Sequence, residues 1–140
     1  MVVVGMERML EDERGAASLE AIFGSLLLIL LLLGGLELAR AASLRLALGD
    51  GVWHAARYLA VYDPWNEGQA EQIVRDAVAA NALGGEPSGV VVVVSDDGGR
   101  SFGHLITVEA EMDFTPLIPF LTPREVTLRA GHSLLVEVWP

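Results

Sequence analysis

The spacing of apolar residues changes character twice along the chain. Between Ala21 and Leu36 it has no period: sixteen residues pass without a charge, and Leu26–Leu33 is Leu or Ile throughout. As a helix this stretch is roughly 24 Å long, at about 1.5 Å per residue. Glu20 precedes it and Glu37 follows it. Beyond Arg40, Leu36, Ala39, Ser43, Leu46, Trp53, Ala56 and Ala60 mark an interrupted face at spacings of three, four and seven. That spacing predicts that the helix continues. A bend or local unwinding is expected at Gly49-Asp50-Gly51, because each glycine costs about 1 kcal/mol in a helix interior.

Asp63-Pro64-Trp65-Asn66 ends this element, since proline lacks an amide donor and disfavours helical geometry in the residue before it. Asn66 with Gln69 reads as a capping box. A second helix follows to about Leu83, with Ala70, Ile73, Val74, Ala77, Val78 and Ala80 on its apolar face and Gly84-Gly85-Glu86-Pro87 as its stop. From Ser88 the period becomes two. Gly89–Ser95 is a valine strand with both faces apolar enough to be covered. His104–Phe114 alternates, with Ile106, Val108, Ala110 and Met112 inward and Thr107, Glu109, Glu111 and Asp113 outward. Glu125–Val138 alternates again, with Val126, Leu128, Ala130, Leu134, Val136 and Val138 on one face. Three successive strands favour an antiparallel meander. The predicted class is α+β: a long N-terminal transmembrane and stalk helix, a second short helix, and a three-stranded antiparallel sheet with one face covered by the helices.

Composition narrows the function. Of 140 residues 52% are hydrophobic, and much of the excess lies in 21–36. Nine Arg stand against nineteen acids, for a net charge of −10, which argues against nucleic acid and against a polybasic membrane-surface role. With no cysteine there is no disulfide and no thiolate chemistry.

The apolar stretch admits three readings. A cleaved secretory signal wants a basic start and a shorter apolar core, whereas Met1–Gly15 holds Arg8 and Arg14 against Glu7, Glu11, Asp12 and Glu13. A buried core helix is rarely so uniformly leucine-rich. A membrane anchor needs about 20 residues, and Ala16–Leu38 supplies them with Glu20 and Glu37 near its ends. The anchor is the preferred reading. Arg40 and Arg45 balance Arg8 and Arg14 across the span, so charge does not orient it. The larger C-terminal part is expected outside.

A carboxylate in lipid is costly and calls for a partner. A cut after Gly15 would make Ala16 the N-terminus and Glu20 the fifth residue, one helical turn from a new ammonium. The stretch Arg14-Gly15-Ala16-Ala17-Ser18-Leu19-Glu20, the leucine run, and Gly35-Leu36-Glu37-Leu38-Ala39-Arg40 together resemble type IV prepilins. Within that class they resemble the TadE-like proteins of tight-adherence pili. Ala56-Arg57-Tyr58-Leu59-Ala60 is similar to an Ala-Arg-Tyr-Ala step those proteins often carry after the span. The resemblance implies a pilin-like, non-enzymatic minor pilin or pseudopilin. Residues 1–15 would be a leader, 16–62 the transmembrane and stalk helix, and 63–140 an extracytoplasmic head. Gly15 and Ala16 would form the processing site for a prepilin peptidase, and Glu20 would pair with a subunit's ammonium. Gly24, Ser25, Gly34 and Gly35 are small residues where helices approach closely. The implied partners are other pilin-type subunits, the assembly platform and membrane lipid. The implied location is a single pass through the bacterial cytoplasmic membrane, or an extracellular pilus. The alternative is an uncleaved single-span anchor carrying an extracytoplasmic binding domain.

Other chemistry is thin. His54, His104 and His132 lack metal-ligand spacing, though His104 and His132 are candidates to face each other across neighbouring strands. His132 has inward parity and reads as a hydrogen-bonded core histidine. Asp96-Asp97-Gly98-Gly99 lacks the alternating ligands and closing Glu of a calcium loop and reads as a turn. Glu109, Glu111 and Asp113 read as a solvated face, and Glu37 with Arg40 as an exposed pair at i,i+3. No cofactor is implied. The apolar loop Thr115–Pro123, with Leu117, Ile118, Phe120 and Leu121, either closes over the sheet or docks another subunit.

Overall fold

The computed structural model describes residues 3–62, 65–81, 89–98, 101–118 and 125–137, with side chains from Gly15 onward. In chain order the elements are α1 (Val3–Val61), α2 (Glu67–Ala79), β1 (Val91–Asp96), β2 (Leu105–Phe114) and β3 (Val126–Leu135). The architecture is the α+β arrangement anticipated from the sequence. The strands form one antiparallel sheet in the order β1-β2-β3. The chain divides into two compact units, Met1–Leu36 and Glu37–Pro140. The first is helix. The second comprises the rest of α1, α2 and the sheet.

The core of the second unit is built from α1 residues Leu44, Leu48, Val52, Ala55, Ala56 and Leu59, from α2 residues Ala70, Val74 and Val78, and from the inward face of the sheet. All five inward residues of β2 (Ile106, Val108, Ala110, Met112 and Phe114) are buried, as period two requires. The valine strand departs from expectation. Val92 and Val94 pack against the core, while Val91 and Val93 are exposed. The helices lie on one face only, so a strand with two apolar faces keeps one of them open.

The helix α1 also departs from expectation. It runs through Gly49-Asp50-Gly51 without interruption. Its buried stripe departs from the face read above over its middle: Leu46 and Trp53 are exposed, whereas Leu44, Leu48 and Val52 are fully covered, and only toward the end are Ala56 and Ala60 buried as expected. Gly51 lies on that stripe. A Cβ added there would stand 3.0 Å from both the Val74 Cα and the Ala77 Cβ. The glycine is what lets α2 approach α1 backbone to backbone, and this contact offsets its poor helix propensity.

Local signals set the remaining ends. The Asn66 side chain accepts a hydrogen bond from the Gln69 amide at 3.1 Å, an N-cap. The helix stops at Ala79, short of the expected Leu83, which lies outside the described residues. Just beyond it, Asn81 Nδ2 donates to the Ser43 carbonyl and hydroxyl at 2.9 and 2.8 Å, tying the end of α2 to α1. Gly98 and Gly103, with φ of 118° and 85°, turn the chain between β1 and β2. After β3 the Glu137 amide donates to the Ala60 carbonyl at 2.9 Å, and Arg57 donates to the Glu137 carboxylate at 2.7 Å. The first of these bonds satisfies a carbonyl of the last helical turn.

The two glycines of Gly49-Asp50-Gly51 should respond oppositely to the same change. Nothing lies within 4 Å of a Cβ added at Gly49, so Gly49→Ala is expected to stabilise by up to about 1 kcal/mol. Gly51→Ala is expected to destabilise by about 1–3 kcal/mol through overpacking, reduced by the propensity gained. Thermal unfolding of the full chain in detergent, followed by circular dichroism, reads both signs. A stabilised Gly51→Ala variant would contradict the close approach.

Candidate functional site

Two carboxylates bracket the apolar run, and they sit in different surroundings. Glu20 is exposed on α1 and has no hydrogen-bond or ion-pair partner among the described residues. At 100° per residue, Glu20, Gly24 and Gly35 fall within about 60° of one another around the helix. A Cβ at Gly24, Gly34 or Gly35 would meet nothing within 4 Å, so these positions form open helix surface. Ser25 and Gly34 flank that face on opposite sides. The Ser25 hydroxyl donates to the Ala21 carbonyl at 2.7 Å and so is satisfied within its own helix. Gly15 and Ala16 are exposed helical residues. From Leu19 to Leu32 the large apolar side chains are exposed, among them Ile22, Phe23, Leu27 and Leu31, except that Leu30 is half-buried. The helix from Gly15 is long and apolar enough to cross a membrane.

Glu37 differs from its sequence reading as half of an exposed pair. Its side chain is 10% exposed and that of Arg40 is 16% exposed. Arg40 Nη1 donates to Glu37 Oε2 at 3.1 Å, and the Leu117 amide donates to Glu37 Oε1 at 2.8 Å. The Arg40 guanidinium carbon lies 5.0 Å from the centre of the Phe114 ring, within cation–π range. A buried carboxylate has to be paired and hydrogen-bonded, and each oxygen here has a donor. Spacing alone does not distinguish Glu37 from a surface acid: it stands four residues before Ala41 and seven before Leu44, on a stripe whose burial the fold decides.

The loop after β2 is described as far as Ile118. Leu117 is 69% exposed and Ile118 half-buried, while Phe120 and Leu121 lie outside the described residues. Elsewhere the chemistry is structural. His132 pairs across the sheet with Val108 and is half-buried, so it does not meet His104. His104 Nδ1 instead lies 2.9 Å from Asp97 Oδ1, which also accepts the Leu105 amide at 3.1 Å. The Asp96 carboxylate accepts the Gly98 amide. These acidic oxygens are therefore occupied in holding the turn. On the outer sheet face Arg129 pairs with Glu111 and the Thr127 hydroxyl donates to Asp113. His54 lies on an exposed stretch of α1 with its ring edge against Trp53. Among the described residues no three His, Asp or Glu side chains are grouped to hold a metal ion.

No family model, curated protein or solved structure matches the chain.

Two outcomes follow from this geometry. Glu37→Ala leaves Arg40 without that carboxylate and the Leu117 amide without its acceptor. It is expected to destabilise the full chain by about 3 kcal/mol and to speed amide exchange at Leu117. Glu37→Gln keeps an acceptor and should do less harm. The Asp97 carboxyl titrates below the ordinary value of 3.8, chiefly because of the hydrogen bond with His104 and, in smaller part, the Leu105 amide and the charge of His104. A depressed folded-state pKa contributes stability above the unfolded-state value, and that contribution is lost as pH falls through the folded-state value. Carboxyl NMR should place the Asp97 midpoint below 3.8 and move it upward in His104→Ala.

Proposed function

We propose that the chain is a non-enzymatic minor pilin or pseudopilin of a tight-adherence type IV pilus system, cut after Gly15 and assembling through the helix that begins at Ala16. The observation that carries this reading is the helix from Gly15 to Leu36. It keeps most of its large apolar side chains exposed, and it holds one carboxylate, Glu20, on the same face as Gly24 and Gly35. Lipid satisfies the apolar surface, and small residues on one face allow helices to approach closely.

The chemistry centres on charge. Cleavage would create an α-ammonium at Ala16, with an ordinary pKa near 7.7–8.0, about 6 Å of helical rise below Glu20. Each charge alone is expensive away from water, and as a pair each neutralises the other. If the ammonium belongs to a neighbouring subunit, the pairing fixes the axial stagger of the two helices. The chain would then sit as a single pass in a bacterial cytoplasmic membrane, with the Glu37–Pro140 unit outside, or join a filament. Its partners would be other pilin-type subunits, the assembly platform and, for processing, a prepilin peptidase.

One observation favours a second reading, an uncleaved anchored binding domain: Val91 and Val93 stand exposed on the open sheet face. The two readings separate on intact mass and N-terminal sequencing of the protein from a membrane fraction of cells that express a prepilin peptidase. A start at Ala16, restored to Met1 by Gly15→Leu, is the outcome expected of a pilin. Glu20→Ala should then leave cleavage intact and lower recovery of the subunit with its partners. A start at Met1 in the unaltered chain would remove the pilin reading and leave the anchored domain.

A further inference from the structure

The uncharged run is too short for the membrane it would cross. Ala21–Leu36 spans roughly 24 Å as a helix, against a hydrocarbon core about 30 Å thick. Were Glu37 an exposed carboxylate, it would mark the water boundary. It is not exposed: Arg40 and the Leu117 amide satisfy it, and both charged side chains are largely buried. With Glu37 and Arg40 neutralising each other, Ala21–Arg40 behaves as one twenty-residue segment, roughly 30 Å long. The neighbouring surface agrees, since Leu38 is 72% exposed and Ala39 is exposed as well.

Leu117 is fixed at this level of α1. Its amide donates to the Glu37 carboxylate at 2.8 Å, which holds the loop at the start of this unit's helix segment. The Leu117 side chain is left 69% exposed. Its N–H is already satisfied by the chain, as lipid requires of a backbone donor. An exposed leucine beside a neutralised, buried ion pair suits a lipid surface.

We propose that the Glu37–Arg40 pair lies at the lipid boundary and that Leu117, held on Glu37, inserts into the bilayer as a second membrane contact of the Glu37–Pro140 unit. The proposal rests on the membrane-anchor reading, common to both functions above, and not on cleavage. The absence of native cysteine allows clean single-site labelling. Leu31→Cys, Leu117→Cys and Val93→Cys variants of the full chain, each at an exposed position, would carry a nitroxide in vesicles of phosphatidylethanolamine and phosphatidylglycerol. Collision with oxygen reports lipid, and collision with a water-soluble nickel chelate reports solvent. The ratio of oxygen to nickel collision at position 117 should match that at position 31 and exceed that at position 93 several-fold. Adding Glu37→Ala should shift position 117 toward nickel while position 31 stays unchanged. If position 31 reports lipid and position 117 reports water, this proposal fails and the anchor stands. If position 31 also reports water, the anchor fails with it. If position 117 is shielded from both reagents at high protein density and opens to nickel on dilution into lipid, Leu117 docks another subunit and the proposal is overturned.

Discussion

A carboxylate that is nine-tenths buried has to be given donors, and the way Glu37 receives them organises the folded unit. One donor, Arg40, comes from the next turn of α1. The other, the Leu117 amide, comes from a position 80 residues away, just past the end of β2. Arg40 also lies over Phe114, the last residue of β2. The far end of the same helix segment is held by the chain leaving β3, through Glu137 to Ala60 and Arg57. From Glu37 to Ala60 is roughly 35 Å of helix, and the ten residues of β2 extend roughly 34 Å. Helix and strand are therefore matched in length and pinned at both ends by polar contacts, with the apolar core between them.

Leu, Val, Ile, Met and Phe fill most of that core, but where α2 meets α1 it is closed by a residue without a side chain. Gly51 on α1 stands against the Val74 backbone and the Ala77 methyl group of α2. Backbone proximity takes the place of bulk. Close packing of this kind gains dispersion contacts without large side chains, and any added methyl group is felt at once. No disulfide supplements it.

The sheet was legible in the sequence because β2 alternates cleanly between Ile106, Val108, Ala110 and Met112 and its acidic neighbours. The second helix was legible through Asn66 and the Ala70–Val74–Val78 spacing. The phase of α1 was not, because Ala and Leu populate both sides of it and Leu46 looks no different from Leu44 or Leu48. The valine strand hid which face is covered for the same reason. Gly51 read as a weakness because its benefit lies in a partner helix that local propensity does not see. The candidate site divides in the same way. Gly15, Glu20 and Gly24 are a local motif, visible to inspection. The burial of Glu37 depends on an amide far along the chain, and a Glu three residues before an Arg looks like any surface pair.

The two acids that frame the apolar run thus pose one problem with two solutions. Glu37 is answered within its own fold, by a guanidinium and an amide, so it makes no demand on anything outside the chain. Glu20 has no such answer among the described residues and lies on open helix beside Gly24. At an aqueous boundary water would satisfy it, and nothing further would follow. Deeper in lipid, a cation brought to it would, either by cleavage of its own chain or by a neighbouring one. If the lipid boundary on the other side falls at Arg40 rather than Leu36, the helix need not be drawn inward past Glu20 to fill the bilayer. Glu20 can then rest at the opposite boundary, where its charge is tolerated before assembly and still within reach of a helix-borne ammonium. The pairing of Glu37 would in this way set the depth of Glu20, linking the fold of the C-terminal unit to the chemistry of the N-terminal helix.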